Sequence, residues 1–338
     1  MTSATVRPTR RFASAALLLS LCLNLTMNSS TVAATWEALS PLPEPNGGFV
    51  CGAIGEDVVI AGGTNWKDGS KHWLDRIWVY EPARKAWRAA GRLPVALAYG
   101  VTGQTPGAFW FAGGSDGKET HRQLWRMDSK FIVTPVAKIE PRLVYSSGAV
   151  LAGKLLAVAG AADQAKVDTL TNAAFSFDLQ GGAVQRLTDL PSAGIITGTA
   201  AACGGRLFVF SGAHWDGVAK TVVNTAAAFA FSPKSGRWDK LAPVPFAVRG
   251  LTAVALDDRH LYLAGGYKNE AEAFTAEAFI FDTQTGTYRP TAPLPYRAMV
   301  GLVVAGDWLY CLGGEDRMKH RSDAAYRLRW KSLLAAGR

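Results

Sequence analysis

The sequence predicts an all-β fold, a six-bladed β-propeller, from two repeating phrases and the distance between their copies. The first phrase is an aromatic or Val residue, a few polar residues and a turn ending in Pro. Its copies are Trp36…Leu42-Pro43, Trp87…Leu93-Pro94, Val133…Glu140-Pro141, Val184…Leu190-Pro191, Trp238…Val244-Pro245 and Tyr288…Leu294-Pro295. The second is an apolar strand ending in small residues: Val58–Gly63, Phe109–Gly114, Leu155–Gly160, Leu207–Gly212, Leu261–Gly266 and Leu309–Gly314. Repeats of about 50 residues, each too small to bury its own faces, stack radially as blades.

Each repeat resolves into four strand-like runs. In the fifth, the inner strand lies near Gly250–Leu256, the second is Leu261–Gly266, the third Ala276–Asp282, and the outer strand surrounds Tyr288. Small residues such as Gly100, Gly148, Gly198, Gly250 and Gly301 begin the inner strands, where the axis is crowded. A Gly-Gly pair with a downstream aromatic is the kelch signature, so the expected architecture is a six-bladed kelch-type β-propeller. Trp36–Pro43 is an outer strand with no three strands before it, while the last repeat ends after its third strand near Trp330. The N-terminal strand, centred on Trp36–Leu39, is therefore expected to complete the last blade and leave no open edge. Blades three and four read as degenerate. Ala159-Gly160-Ala161 and Ser211-Gly212-Ala213 replace the Gly-Gly motif, and the outer aromatic is expected to be missing from both, with Val133 and Val184 at the repeat positions.

The ring accounts for residues 35–338. Residues 1–34 read as a signal peptide: Arg7, Arg10 and Arg11, then a mostly apolar stretch from Phe12 to Met27, then Val32-Ala33-Ala34 before a cut ahead of Thr35. The mature chain is thus expected to be exported, periplasmic or secreted, without a membrane anchor. Composition is that of a globular protein, with 49% hydrophobic and 19% charged residues. The net charge of +9 falls to about +6 once three leader arginines are removed, which favours anionic partners. No basic run or aromatic-basic stripe is present, which argues against nucleic acid. Cys51, Cys203 and Cys311 each sit within an apolar strand and read as buried thiols. Cys51 and Cys311 belong to ring neighbours, which leaves a disulfide open to them.

Strand direction alternates within a blade, so the loops after the second strands and those leading into the inner strands open on one face. The former carry Asn65, Trp66, His72, His121, His214, Trp215, Tyr267, Glu315, His320 and Arg321; the latter supply Asn46, Tyr99, Arg142, Tyr145, Arg249, Tyr296 and Arg297. Aromatic rings stack on pyranose faces and guanidinium forks pair with carboxylates. This face suits a small-molecule sugar, an acidic one above all, with Asn65, Trp66, Arg142, His214, Trp215, Arg249, Tyr267 and Arg297 as candidate binding residues. The histidines lie on separate blades with no close-spaced ligand pair, so no metal site is expected.

Two segments resemble the kelch-repeat N-acetylneuraminate epimerases (sialic acid mutarotases), particularly their cyclically permuted group. One is Gly62-Gly63-Thr64-Asn65-Trp66-Lys67-Asp68-Gly69 with the strand Trp73–Val79; the other is Gly314-Glu315 with Arg321-Ser322-Asp323. The resemblance implies Glu315 and Arg321 as a catalytic pair, Asp323 orienting the guanidinium, and a mutarotase that uses no cofactor. Read without the resemblance, the same loops fit a non-catalytic kelch module that binds a glycan or protein.

Overall fold

A computed structural model describes residues 1–4 and 34–335. The chain separates into units Met1–Thr31 and Val32–Arg338, and the second holds the strands. Residues 5–33 of the expected signal segment fall outside the described residues.

The second unit is a closed six-bladed propeller. Blade one is built from Val50–Ile54, Asp57–Ala61, Arg76–Glu81 and Ala86–Arg92, antiparallel in that order from the axis outward. Blades two to five repeat this arrangement with inner strands Val101–Thr105, Ser147–Leu151, Thr199–Cys203 and Thr252–Ala255. Blade six takes Met299–Ala305, Trp308–Glu315 and Ala325–Arg329 from the C-terminal end and its outer strand, Glu37–Ala38, from the N-terminal end. Glu37 pairs with Arg327 and Ala38 with Tyr326. The seal continues past the strand through Leu39 N–H to Ala325 O (2.9 Å) and Leu42 N–H to Asp323 O (2.7 Å).

The last four residues before each small-residue pair (Val58–Ala61, Phe109–Ala112, Leu155–Val158, Leu207–Phe210, Leu261–Ala264 and Leu309–Leu312) are all apolar because the second strand is buried there on both sides. Val58 and Ile60 enter the core shared with blade six, whereas Val59 and Ala61 enter the core shared with blade two. Trp110 and Ala112 likewise face blade three while Phe109 and Phe111 face blade one. One such core fills each of the six blade boundaries, that between blades six and one included. Ring closure thus rests on apolar burial as well as on backbone pairing.

The Gly-Gly pair has a backbone cause. Both residues are left-handed in all six blades, and the second donates its amide to the loop leading into the next blade (Gly63 to Leu97 O, Gly314 to Asn46 O, both 2.8 Å). Ala159 and Ser211 hold the same conformation at φ 59° and 60°, at a cost of about 1–2 kcal/mol each relative to glycine.

The outer aromatics latch neighbouring blades at the rim. Trp87 Nε1 donates to Ser40 O, Trp238 Nε1 to Thr188 O, Tyr288 Oη to Ala242 O and Trp36 Nε1 to Pro293 O, at 2.7–3.0 Å. The structure corrects the placing of the missing aromatics: Val133 and Val184 lie in the outer strands of blades two and three, and blade four keeps Trp238. Valine has no donor, so these two blades lack the latch. Cys51, Cys203 and Cys311 are free thiols, and burial pushes Cys51 and Cys311 up to about 12. The bond left open to Cys51 and Cys311 is not formed. Among the described residues no helix is long and apolar enough to cross a membrane.

Candidate functional site

The residue after the small-residue pair meets the segment leading into the same blade. Gly47 bridges Thr64, Ala98 bridges Ser115, Val144 bridges Ala161, Ile196 bridges Ala213, Arg249 bridges Tyr267 and Met299 pairs with Glu315. The next residue inward forms a collar about the axis. Gly48, Tyr99, Tyr145, Thr197 and Gly250 all have φ between 50° and 70°. Their amides run from blade to blade: Tyr99 to Gly48 O (2.8 Å), Tyr145 to Tyr99 O (3.1 Å), Thr197 to Tyr145 O (3.2 Å) and Gly250 to Thr197 O (2.7 Å). Blade six interrupts the collar, because Val300 already lies within the inner strand.

A cavity of about 220 Å³ opens inside this collar, and where the collar breaks its wall carries Glu315 and Arg321. Glu315 ends an eight-residue strand; Arg321 precedes Ser322, whose amide returns to Gly314 O. Arg321 Nη1 lies 2.7 Å from Glu315 Oε2, with the Arg side chain 4% exposed and the Glu 26%. The guanidinium also donates from Nε to Thr64 Oγ1 (3.2 Å) and from Nη1 to His320 O (3.0 Å). Gly47 makes the room: a Cβ there would stand 2.5 Å from Arg321 Cδ. A buried cation is tolerated when paired and hydrogen-bonded, and all these contacts serve that end. Glu315 keeps acceptor capacity toward the cavity. Asp323, expected to orient the guanidinium, is exposed, and its backbone carbonyl instead accepts from Leu42; Glu315, Thr64 and the His320 carbonyl do the orienting.

Two phenols complete the wall. The Tyr99 and Tyr145 rings lie 4.6 Å apart, and Tyr99 Oη is 3.4 Å from Thr64 Oγ1. Burial pushes the Tyr145 phenol well above its ordinary range, Tyr99 and Glu315 adding to the shift and Arg321 opposing it. It is therefore a neutral hydrogen-bond donor at any physiological pH.

Of the residues expected at the site, Glu315 and Arg321 meet in the cavity wall and the others do not line it. Asn65 is buried in the ribbon Thr64–Trp73, with Oδ1 unpartnered, as is Trp66 Nε1. His214 and Trp215 belong to a second ribbon, paired with Val223 and Val222. Arg249 donates to Asn224 Oδ1 (3.2 Å) and lies 4.4 Å above the Tyr267 ring. Arg297 lines a separate pocket with Lys268 and Glu277, and Arg142 is exposed. Thr64, Tyr99 and Tyr145 were not singled out as site residues. Aligning the repeats on the small-residue pair would have marked the two tyrosines, since it sets Tyr99 and Tyr145 against Gly48 and Thr197. Among the described residues no three His, Cys, Asp or Glu side chains gather as a metal site.

No family profile matches the chain. Mouse Kelch-like protein 35 is 33% identical over 131 residues, 38% of this chain and 20% of that protein. N-acetylneuraminate epimerases of Brucella melitensis and Brucella suis are 35% and 36% identical over 107 residues, 25% of this chain and 27% of each epimerase. The chain thus matches about a fifth to a quarter of the length of these relatives. With six four-stranded blades, a recurrent left-handed small-residue pair and these relatives together, the chain is a six-bladed kelch-type β-propeller with local similarity to the N-acetylneuraminate epimerases.

Proposed function

We propose that this protein is a sugar mutarotase acting at the anomeric centre of an acidic sugar such as N-acetylneuraminate. The observation that carries the reading is the Glu315–Arg321 pair, 2.7 Å apart, with its carboxylate open to a cavity. Ring opening removes the proton of the anomeric hydroxyl, forms the carbonyl, breaks the bond to the ring oxygen and protonates that oxygen. Glu315 takes the first proton and returns it to the ring oxygen; reclosure on the other carbonyl face gives the other anomer. Arg321 fixes the carboxylate and steadies its charge, and the Tyr145 phenol offers a donor to a sugar oxygen. The reaction is redox-neutral and consumes no cofactor.

The test is anomer exchange followed by NMR, starting from a single anomer of N-acetylneuraminate. Wild type should accelerate exchange, and Glu315→Gln should slow it about a hundredfold with its melting curve kept, the loss expected for a general acid or base. A second reading, a non-catalytic propeller that binds a glycan or protein through the same face, draws on the mouse relative, whose match covers more of this chain than the epimerase matches do. Binding of sugars without faster exchange would select it. Export belongs to the proposal and rests on the Arg7–Ala34 segment. N-terminal sequencing of the mature protein should then start near Thr35, and an intact leader on the cytosolic protein would remove it.

A further inference from the structure

An acidic substrate needs a cation that the site has not already neutralised, and Arg321 is not that cation. Its side chain is 4% exposed and its charge is matched by Glu315 at 2.7 Å. The ion pair leaves the cavity wall no net charge, and the Tyr145 phenol beside it is neutral. An entering carboxylate would lose hydration and find no net positive charge in return. Lys268, in the separate pocket with Arg297, is held by Glu272 and Glu277, at 3.1 and 2.6 Å.

Lys71 differs from both. It stands on the ribbon strand Ser70–Trp73 of blade one, opposite Trp66, and leans across to blade two. Its Nζ lies 4.9 Å from the centroid of Tyr99, a cavity-lining ring, and 5.4 Å from that of Trp73. Among the described residues no carboxylate pairs with it. Contact with aromatic faces holds an ammonium only weakly, by about 0.5–1 kcal/mol where solvent reaches it. A lysine's flexible stem lets that charge leave the ring for a stronger partner.

We propose that Lys71 is the specificity-determining residue for the substrate's carboxylate. Its ammonium swings from the Tyr99 face to form a charge-assisted hydrogen bond at the cavity rim while Glu315 addresses the anomeric centre. The inference rests on the acidic-sugar reading and assigns to Lys71 the anion contact that the sequence suggested for Arg321, with Arg249 and Arg297 in support. It also separates two duties at one site: the Glu315–Arg321 pair handles protons, and Lys71 selects for charge.

Calorimetric titration with N-acetylneuraminate and with its methyl ester tests this, because the ester keeps the shape and removes the charge. Wild type should prefer the acid. Lys71→Ala should weaken acid binding about tenfold, the equivalent of one charge-assisted bond, and leave the ester unchanged. Lys71→Arg should keep most of the preference, and added salt should erode acid binding by wild type more than by Lys71→Ala. Equal affinity of wild type for acid and ester, an unaltered acid affinity in Lys71→Ala, or an equal loss for both ligands would overturn the assignment. If the acid preference depends on Lys71 yet wild type does not speed anomer exchange, the mutarotase reading falls and the recognition role stands. If wild type binds neither ligand, both fall.

Discussion

The position after the small-residue pair is Ala161 in blade three, Ala213 in blade four and Glu315 in blade six, and the residues facing it are Leu170, Asn224 and Arg321. The backbone is equivalent in all three, yet the surroundings differ. In blades three and four the alanines sit with Val144 and Ile196 in a small apolar cluster that backs the Tyr99 and Tyr145 rings. In blade six the same position opens to the cavity, beside a gap in the collar. The difference teaches that the repeat supplies positions and not chemistry. One side of the mouth is packed to hold two phenols still, and the other is hollowed to take an ion pair.

Opening blade six should have the largest effect. Removing residues 35–43 takes away the closing strand, the Trp36 latch and the buried Leu42 side chain, which alone is worth about 2 kcal/mol. It leaves the Ala325–Arg329 strand as a bare edge. The expected outcome is a steep fall in melting temperature with aggregation, measured by calorimetry and light scattering; a truncated chain that melts like the intact one would refute closure by this strand. Moving the carboxylate tests the comparison itself. Ala213→Glu places a charge at a fully buried site within the apolar cluster, and should cost about 3 kcal/mol or more in denaturant unfolding. A variant of wild-type stability would show that the two sides of the mouth are interchangeable, which the packing denies.

The blades were legible in the sequence because every second strand is sandwiched between neighbours and therefore runs apolar for the four residues before its small-residue pair. The closing strand was legible from Trp36–Pro43 repeating a phrase that has no preceding strands. The Glu315–Arg321 pair was singled out through a local motif, and the two side chains lie 2.7 Å apart. The remaining candidates were chosen by residue type on the right face, and what type cannot reveal is how far each loop folds back. Two ribbons turn Asn65, Trp66, His214 and Trp215 into strand residues. At the approach to blade six, Tyr296 turns inward to donate to Gly313 O (2.6 Å), so its neighbour Arg297 points to a different pocket. The collar tyrosines look like ordinary loop aromatics until their left-handed backbone, shared with Gly48 and Gly250, shows that they are held in place.

The segment that closes the ring also touches the ion pair. Asn46 accepts the Gly314 amide through its carbonyl, Gly47 leaves space for Arg321, and Thr64 accepts from that guanidinium. These residues precede the first blade in the chain, whereas Glu315 and Arg321 follow the other five. A ribosome-bound chain lacking its final blade holds half of the arrangement with nothing to face it. The ion-pair wall therefore cannot accumulate blade by blade. It comes into being in one step, when the first and last strands of the ring meet, so a probe of that ion pair is also a clock for the completion of folding.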